Sequence, residues 1–144
     1  MIQIRIKYLR NITPISRIEQ GSWIDLRCGQ DTIINEGEYK QIPLGIAMEL
    51  PEGFEAIIAP RSSTFRKYGI LLANGIGVVD NSYNGDNDEW HFLAHATRKT
   101  YIPRNERICQ FRILRSQGDI DFLPVHKLGN PDRGGLGSTD GQFK

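Results

Sequence analysis

The chain has 144 residues, with 18 Lys plus Arg against 17 Asp plus Glu, so its net charge is +1. That length implies one domain with enough interior for a real core. The balanced charge excludes the broad basic surface of a nucleic-acid binder but leaves room for a local arginine site that holds a small anion.

Alternation with period two dominates from the start. In "MIQIRIKYLR", Ile2, Ile4, Ile6 and Tyr8 share one face of a strand, with Gln3, Arg5 and Lys7 on the other. This opening lacks the uninterrupted apolar core of a signal peptide. "SWIDLRC" is a second strand, and it sets Asp25 inside an apolar run, where a carboxylate needs a partner or a metal-linked role. "YKQIPLGIAMEL" and "EAIIAP" follow, parted by the turn signal "LPEG".

The one predicted helix is short and lies in "SSTFRKYG". Ser62 or Ser63 is placed to cap it and Gly69 to stop it. Arg61, Ser62 and Ser63 therefore stand where free backbone N–H groups and a favourable dipole suit phosphate. An ordinary N-cap beside a solvated arginine uses the same residues.

"GILLANGIGVVD" then runs to Asp80, and Tyr83 to Gly85 read as the tip of a β-hairpin. An acid at a strand end beside an aromatic makes a base next to a stacking platform. Purely local turn preferences also account for this composition. In "EWHFLAHA", His91 and His95 share a face, but no third ligand is spaced near them and the zincin glutamate is missing, which argues against a metal site. "ERICQFRILR" puts Arg107 and Cys109 on one face and Ile108 and Gln110 on the other, with a hydrogen-bonded pair across strands as the structural reading of Gln110. "IDFLPV" is the last predicted strand.

Cys28 and Cys109 lie in apolar stretches, without metal or disulfide spacing, and read as small core residues in a reducing compartment. No segment approaches the length of a membrane span. The expectation is a soluble cytoplasmic protein with no nucleic-acid and no membrane partner. Many short strands with turn signals predict an all-β sandwich or barrel over residues 1–128, with a flexible glycine-rich arm over 129–144.

Five pieces recur in a set order: Asp25-Leu26, Pro60-Arg61-Ser62-Ser63, Gly77-Val78-Val79-Asp80 with Tyr83 and Gly85, Arg107-Ile108-Cys109-Gln110, and Arg133-Gly134-Gly135-Leu136-Gly137-Ser138-Thr139. This order resembles the five motifs of the trimeric dUTPases, from about Trp23 to Gly141. The resemblance implies a jelly-roll (β-clip) barrel and a homotrimer with active sites shared between chains. It also implies hydrolysis of dUTP to dUMP and pyrophosphate, with Mg²⁺ held mainly by the triphosphate.

The roles carry over by motif. Asp80 matches the base that orients and deprotonates the attacking water. Tyr83 matches the ring beneath the deoxyribose. The backbone from Asn74 through Gly77 to Val79 matches the segment that reads the uracil edge. Arg61, Ser62 and Ser63 match the phosphate-binding motif, and Gln110 the contact near the α-phosphate. Asp25 matches the acid that reaches the metal through water. Arg133, Gly137, Ser138 and Thr139 match the arm that closes on the β- and γ-phosphates.

Two departures stand out. The arm has Leu136 where the family's fifth motif has the phenylalanine that covers uracil, and the segment after Tyr83, "NGDNDEWHF", is longer and more acidic than usual. Both resemble the branch found in phages and prophages of Gram-positive bacteria. They also lead to the expectation that Phe92, or else Trp90, replaces the missing lid, against the reading of both as core or interface rings. Two other functions fit the same features: a dCTP deaminase or bifunctional deaminase of this fold, and a nucleotide-sensing trimer with a regulatory protein partner. The deaminase needs a glutamate within the strand after the hairpin, and "WHFLAHA" has no acid.

Overall fold

The computed structural model describes residues 1–16 and 21–137. Eleven strands and one helix follow in chain order: β1 (Arg5–Tyr8), β2 (Ile24–Arg27), β3 (Thr32–Ile34), β4 (Tyr39–Pro43), β5 (Ile46–Glu49), β6 (Phe54–Pro60), α1 (Thr64–Tyr68), β7 (Ile70–Leu72), β8 (Gly77–Val79), β9 (His91–Ala96), β10 (Thr100–Ile102) and β11 (Arg107–Arg115). They form a jelly roll. One four-stranded sheet runs β2-β11-β6-β8, a three-stranded sheet runs β4-β9-β7, and β1-β5 and β10-β3 make two-stranded ladders.

The inward faces of these strands make one core. It contains Leu26, Ile42, Ile46, Ile58, Trp90, Phe92, Ile108 and Phe111, all at most 2% exposed. Trp90 meets Phe111 edge-on, with ring centroids 5.3 Å apart at 87°. Cys28 and Cys109 are free and buried, and burial is the largest cause raising both thiols. They are packing residues.

Several predicted strands break where the chain changes sheet. "YKQIPLGIAMEL" divides into β4 and β5 at Gly45, whose φ of +75° favours glycine and where a Cβ would lie 3.0 Å from the Ile12 Cδ1. "GILLANGIGVVD" divides into β7 and β8, which belong to different sheets, through a turn that includes Gly75 N–H donating to Leu72 O at 3.0 Å. The Tyr83–Gly85 segment is not a hairpin tip. β8 pairs with β6, whereas β9 pairs with β4 and β7, so residues 80–90 cross from one sheet to the other. The short strands β3 and β10 have too few residues for alternation to mark them.

"IDFLPV" forms no strand. After β11 the described chain has no regular structure, and Ile120, Phe122, Leu123, Val125 and Leu128 are exposed. Pro124 removes a ladder donor there. The helix is where the sequence placed it, and Gly69 ends it with φ of 65°. Ser63 is the N-cap residue but makes no side-chain cap bond. Instead Thr64 Oγ1 accepts the Arg61 N–H at 2.8 Å and donates to Ile108 O at 2.8 Å, tying the helix start to β11.

Gly77 fixes the edge that carries Asp80. It stands opposite Ile58 in the β6–β8 ladder, and a Cβ there would lie 2.9 Å from the Ile58 Cβ. Gly77→Ala is expected to cost about 1–3 kcal/mol through overpacking. Gly118→Ala, in open space, should be near neutral. Urea unfolding at one fixed protein concentration checks both, and equal midpoints for the two variants would contradict the close-approach account.

Candidate active site

The crossing segments leave a cleft of about 430 Å³ at the seam between the two large sheets. One wall is Ile58 of β6 and residues 77–80; the other is Trp90, His91 and Leu93; Asn74, Ser82, Tyr83 and Glu89 complete the lining. β8 is the last strand of its sheet, so the N–H and C=O groups on its outer edge have no strand partner. Such an edge offers both donors and acceptors to a flat, hydrogen-bonding ligand.

Asp80 follows the end of β8 and is exposed. Its Oδ1 accepts the Ser82 N–H at 2.9 Å, and the Tyr83 N–H donates to its carbonyl at 3.0 Å. The Ser82 hydroxyl, then the Ser82 N–H, hold the Asp80 carboxyl below its ordinary value. The group is therefore ionised at neutral pH and able to accept a proton.

The Tyr83 ring is 39% exposed, and its hydroxyl donates to the Glu89 carbonyl at 2.8 Å. Burial first, then the charges of Asp88 and Glu89, raise the Tyr83 phenol, which keeps its proton. Gly85 closes the segment: its N–H donates to Asp88 Oδ2 at 2.8 Å, and a Cβ would sit 2.7 Å from the same oxygen.

A second cluster gathers on the β2-β11-β6 face. Gln110 stands opposite Asp25 in one ladder and Ala59 in the other, and its Nε2 donates to Pro60 O at 3.0 Å. The Asp25 carboxylate is held by Arg61 Nε at 3.0 Å and Arg107 Nη1 at 3.3 Å. The expected alternation along β11 is interrupted by a bulge between Arg107 and Cys109, so Ile108 and Cys109 are both buried. Ser62 is exposed at the start of the helical turn, with Ser63 beside it.

The structure thus brings Asn74, Gly77, Val79, Asp80 and Tyr83 together in one cleft, and Asp25, Arg61, Ser62, Ser63 and Gln110 together at another place. None of the second group lines the cleft. Arg133 is exposed, and Gly134 and Gly137 have φ of 81° and 85°. Ser138 and Thr139 lie outside the described residues. Leu136 is fully exposed, with φ of 51°.

Phe92 does not fit the lid expectation. Its side chain is 0% exposed, on the inward face of β9, and Trp90 is 1% exposed against Phe111. Alternation sends Phe92 of β9 inward, and Trp90, just before the strand, borders the cleft but is packed into the core, so neither offers an exposed face to a base. The ring that does line the cleft from this strand is His91, which the sequence reading weighed only as a metal ligand. The pairing of Arg10 with Glu89 was also missed. They form an ion pair with Nε–Oε2 at 2.7 Å, joining positions far apart in the chain with no local signal to link them.

Among the described residues no three His, Cys, Asp or Glu side chains gather to hold a metal ion. Asp25 is already neutralised by two arginines. The described donors therefore do not make a protein-only metal cage. No described helix is long and apolar enough to cross a membrane.

A dUTPase family model matches residues 12–141, nearly the whole chain. The chain belongs to the dUTPase family. It is 53% identical over 139 residues to the SPbeta prophage-derived deoxyuridine 5'-triphosphate nucleotidohydrolase YosS of Bacillus subtilis (strain 168), covering 96% of this chain and 98% of that one. Among solved structures, the Staphylococcus bacteriophage 80alpha dUTPase with dUPNHPP superposes with a TM-score of 0.79 at 16% identity, covering 96% of this chain and 98% of that one. A mutant dUTPase from phage phi11 of S. aureus, described with a coordinated structural Mg(II) ion, gives a TM-score of 0.75 at 13% identity over 88% of this chain and 99% of that one. The phage and prophage resemblance of the sequence agrees with these relatives.

The Asp80 environment gives a titration test. A carboxylate whose folded value is depressed is favoured above its unfolded value, near about 3.9, and that contribution is lost as pH falls through the lower folded value. Carbon-detected NMR of Asp80 in the dUTPase should show a midpoint below the ordinary aspartate value. Ser82→Ala should move it back upward. A midpoint above the ordinary value in the parent protein would contradict the geometry described.

Proposed function

We propose that this dUTPase hydrolyses dUTP to dUMP and pyrophosphate in the β8–β9 cleft, with Asp80 as the base. The observation that carries the reading is the Asp80 carboxylate and the Tyr83 ring at one end of an unpaired strand edge. The main chain from Asn74 to Val79 pairs with the uracil edge and leaves no room for a thymine methyl. Tyr83 packs under the deoxyribose and excludes a 2′-hydroxyl. Asp80 holds a water by hydrogen bonding, aims it at the α-phosphorus and takes its proton as the bond forms. The bond to the bridging oxygen breaks and pyrophosphate leaves. Little covalent help is needed, because positioning and charge neutralisation do most of the work.

Mg²⁺ bound with the triphosphate would supply part of that neutralisation, and Asp25 would help to hold it, through water as the family resemblance implies. Arg61, Ser62, Ser63 and Gln110 bind the phosphates. Arg133, Gly137, Ser138 and Thr139, in the arm of residues 129–144, close over them; glycines allow close approach, and the arginine fork suits the γ-phosphate.

The split between the two clusters supports a homotrimer with shared sites, since phosphate-binding groups from another copy would complete each cleft. The exposed Phe122, Leu123 and Leu128 favour the same view, as an apolar run of this size is usually covered by a partner. The deaminase alternative has little support: β9 carries no acid, and the Glu89 carboxylate is held by Arg10.

Pyrophosphate and ammonia release from dUTP, dCTP, dTTP and UTP test this directly. The parent protein is expected to release pyrophosphate from dUTP and leave the others nearly untouched. Asp80→Asn should lose about 10²–10⁴-fold in turnover, and removal of residues 132–144 should also lower turnover sharply. Ammonia from dCTP, or normal turnover by a folded Asp80→Asn protein, would overturn the assignment.

A further inference from the structure

Glu89 holds the cleft from two directions. Its main-chain oxygen accepts two hydrogen bonds, from the Tyr83 hydroxyl at 2.8 Å and from His91 Nδ1 at 2.8 Å. A carbonyl oxygen only accepts, so this contact requires the His91 tautomer with a proton on Nδ1. Both rings line the cleft. One oxygen thus fixes two aromatic side chains that face the proposed nucleotide.

The Glu89 side chain points to a different anchor. Arg10 donates to it twice, Nε to Oε2 at 2.7 Å and Nη2 to Oε1 at 3.1 Å, and the Gly45 N–H donates to Oε2 at 3.0 Å. The carboxylate side chain is 12% exposed, and the fork geometry is that of a strong, directional pair. Arg10 is itself confined. Its stem passes over Gly29, where a Cβ would lie 2.6 Å from the Arg10 Cδ, and its Nη1 donates to Gln30 Oε1 at 3.0 Å. The next residue is pinned as well: the Trp90 N–H donates to Ile46 O at 2.9 Å, and Trp90 O accepts the Leu44 N–H at 2.8 Å.

The remainder of the 80–90 segment is held mainly by contacts within itself, between Asp80, Ser82 and Tyr83 and between Gly85 and Asp88. Without an outside anchor, a segment held this way can shift as a unit. The Arg10–Glu89 pair is the charged anchor that ties it to the body of the protein.

We propose that Arg10 and Glu89 are positioning residues that set the Tyr83 and His91 rings, and through them the discrimination between deoxyribose and ribose substrates. This rests on the reading of Tyr83 as the sugar-side ring. Neither residue touches the reacting atoms. Their effect is on the sugar pocket, and a displacement of a ring by a fraction of an ångström is enough to alter selection.

The test compares kcat/KM for dUTP and UTP, with thermal melting measured alongside. Arg10→Ala should reduce the dUTP-to-UTP ratio about tenfold, with KM for dUTP changing more than kcat. Arg10→Lys, which keeps the charge but loses the fork, should retain part of the ratio. Arg10→Ala combined with Tyr83→Phe should lose no more than the larger single effect, since both act on one contact chain. If Arg10→Ala does not fold, Glu89→Gln, which keeps the shape and weakens the pair, should still lower the ratio about threefold. A lowered melting temperature with an unchanged ratio in these variants would make the pair purely structural and overturn the proposal. Tyr83→Ala separates the two possible failures. If it loses the ratio while the Arg10 and Glu89 variants keep it, only the positioning role fails. If Tyr83→Ala keeps the ratio, the reading of Tyr83 fails and the proposal falls with it.

Discussion

The site depends on one topological constraint. β8 is hydrogen-bonded to β6 in one sheet, while β9, the next strand, pairs with β4 and β7 in the other. The chain must cross the seam between these sheets twice, at 73–76 and at 80–90. Backbone at such crossings cannot complete a ladder, so its polar groups face a cleft or bond locally. Ladder pairing on one side of β8 leaves its other edge without a strand partner. The second crossing carries Asp80 and Tyr83 off the end of that edge. A glycine at position 77 favours this, because a Cβ there would lie 2.9 Å from the Ile58 Cβ and force a shift.

Electrostatics then divides the labour. Asp80 is exposed and kept ionised by local hydrogen bonds. Asp25, by contrast, sits among arginines on the β2-β11-β6 face. That carboxylate offsets the positive charge of its two arginine neighbours. Glu89 is a third case, a carboxylate used as an anchor. Three acids in one small domain thus sit in three different settings because of their neighbours.

Much of this was legible in the residues. Asp80 and Tyr83, an acid and a ring at a strand end, read alone as an ordinary turn, and it is the order of the five motifs that points to the dUTPase family. The helix start at Arg61–Ser63 and the core character of both cysteines are visible in local pattern alone. Other features were not. Period two cannot say that Gly45 or Asn74–Ile76 marks a change of sheet, because alternation continues on both sides. It places Phe92 and Trp90 on one face without saying that the face is the core. The Arg10–Glu89 pair joins positions in different parts of the chain, and only the fold brings them together. The strand expected at "IDFLPV" failed because alternation without a partner strand does not make a ladder.

The central claim is that nucleotide lies in the β8–β9 cleft with Asp80 beside the attacking water. A crystal structure of the dUTPase with a non-hydrolysable imido analogue of dUTP and Mg²⁺ tests it most directly. The account predicts uracil against the β8 main chain, deoxyribose over Tyr83 and a water about 2.6–3.2 Å from the Asp80 carboxylate, facing the α-phosphorus. Nucleotide lodged instead in the cleft formed by residues 12–16 and 23–27, with no water bridging Asp80 to phosphate, would contradict it.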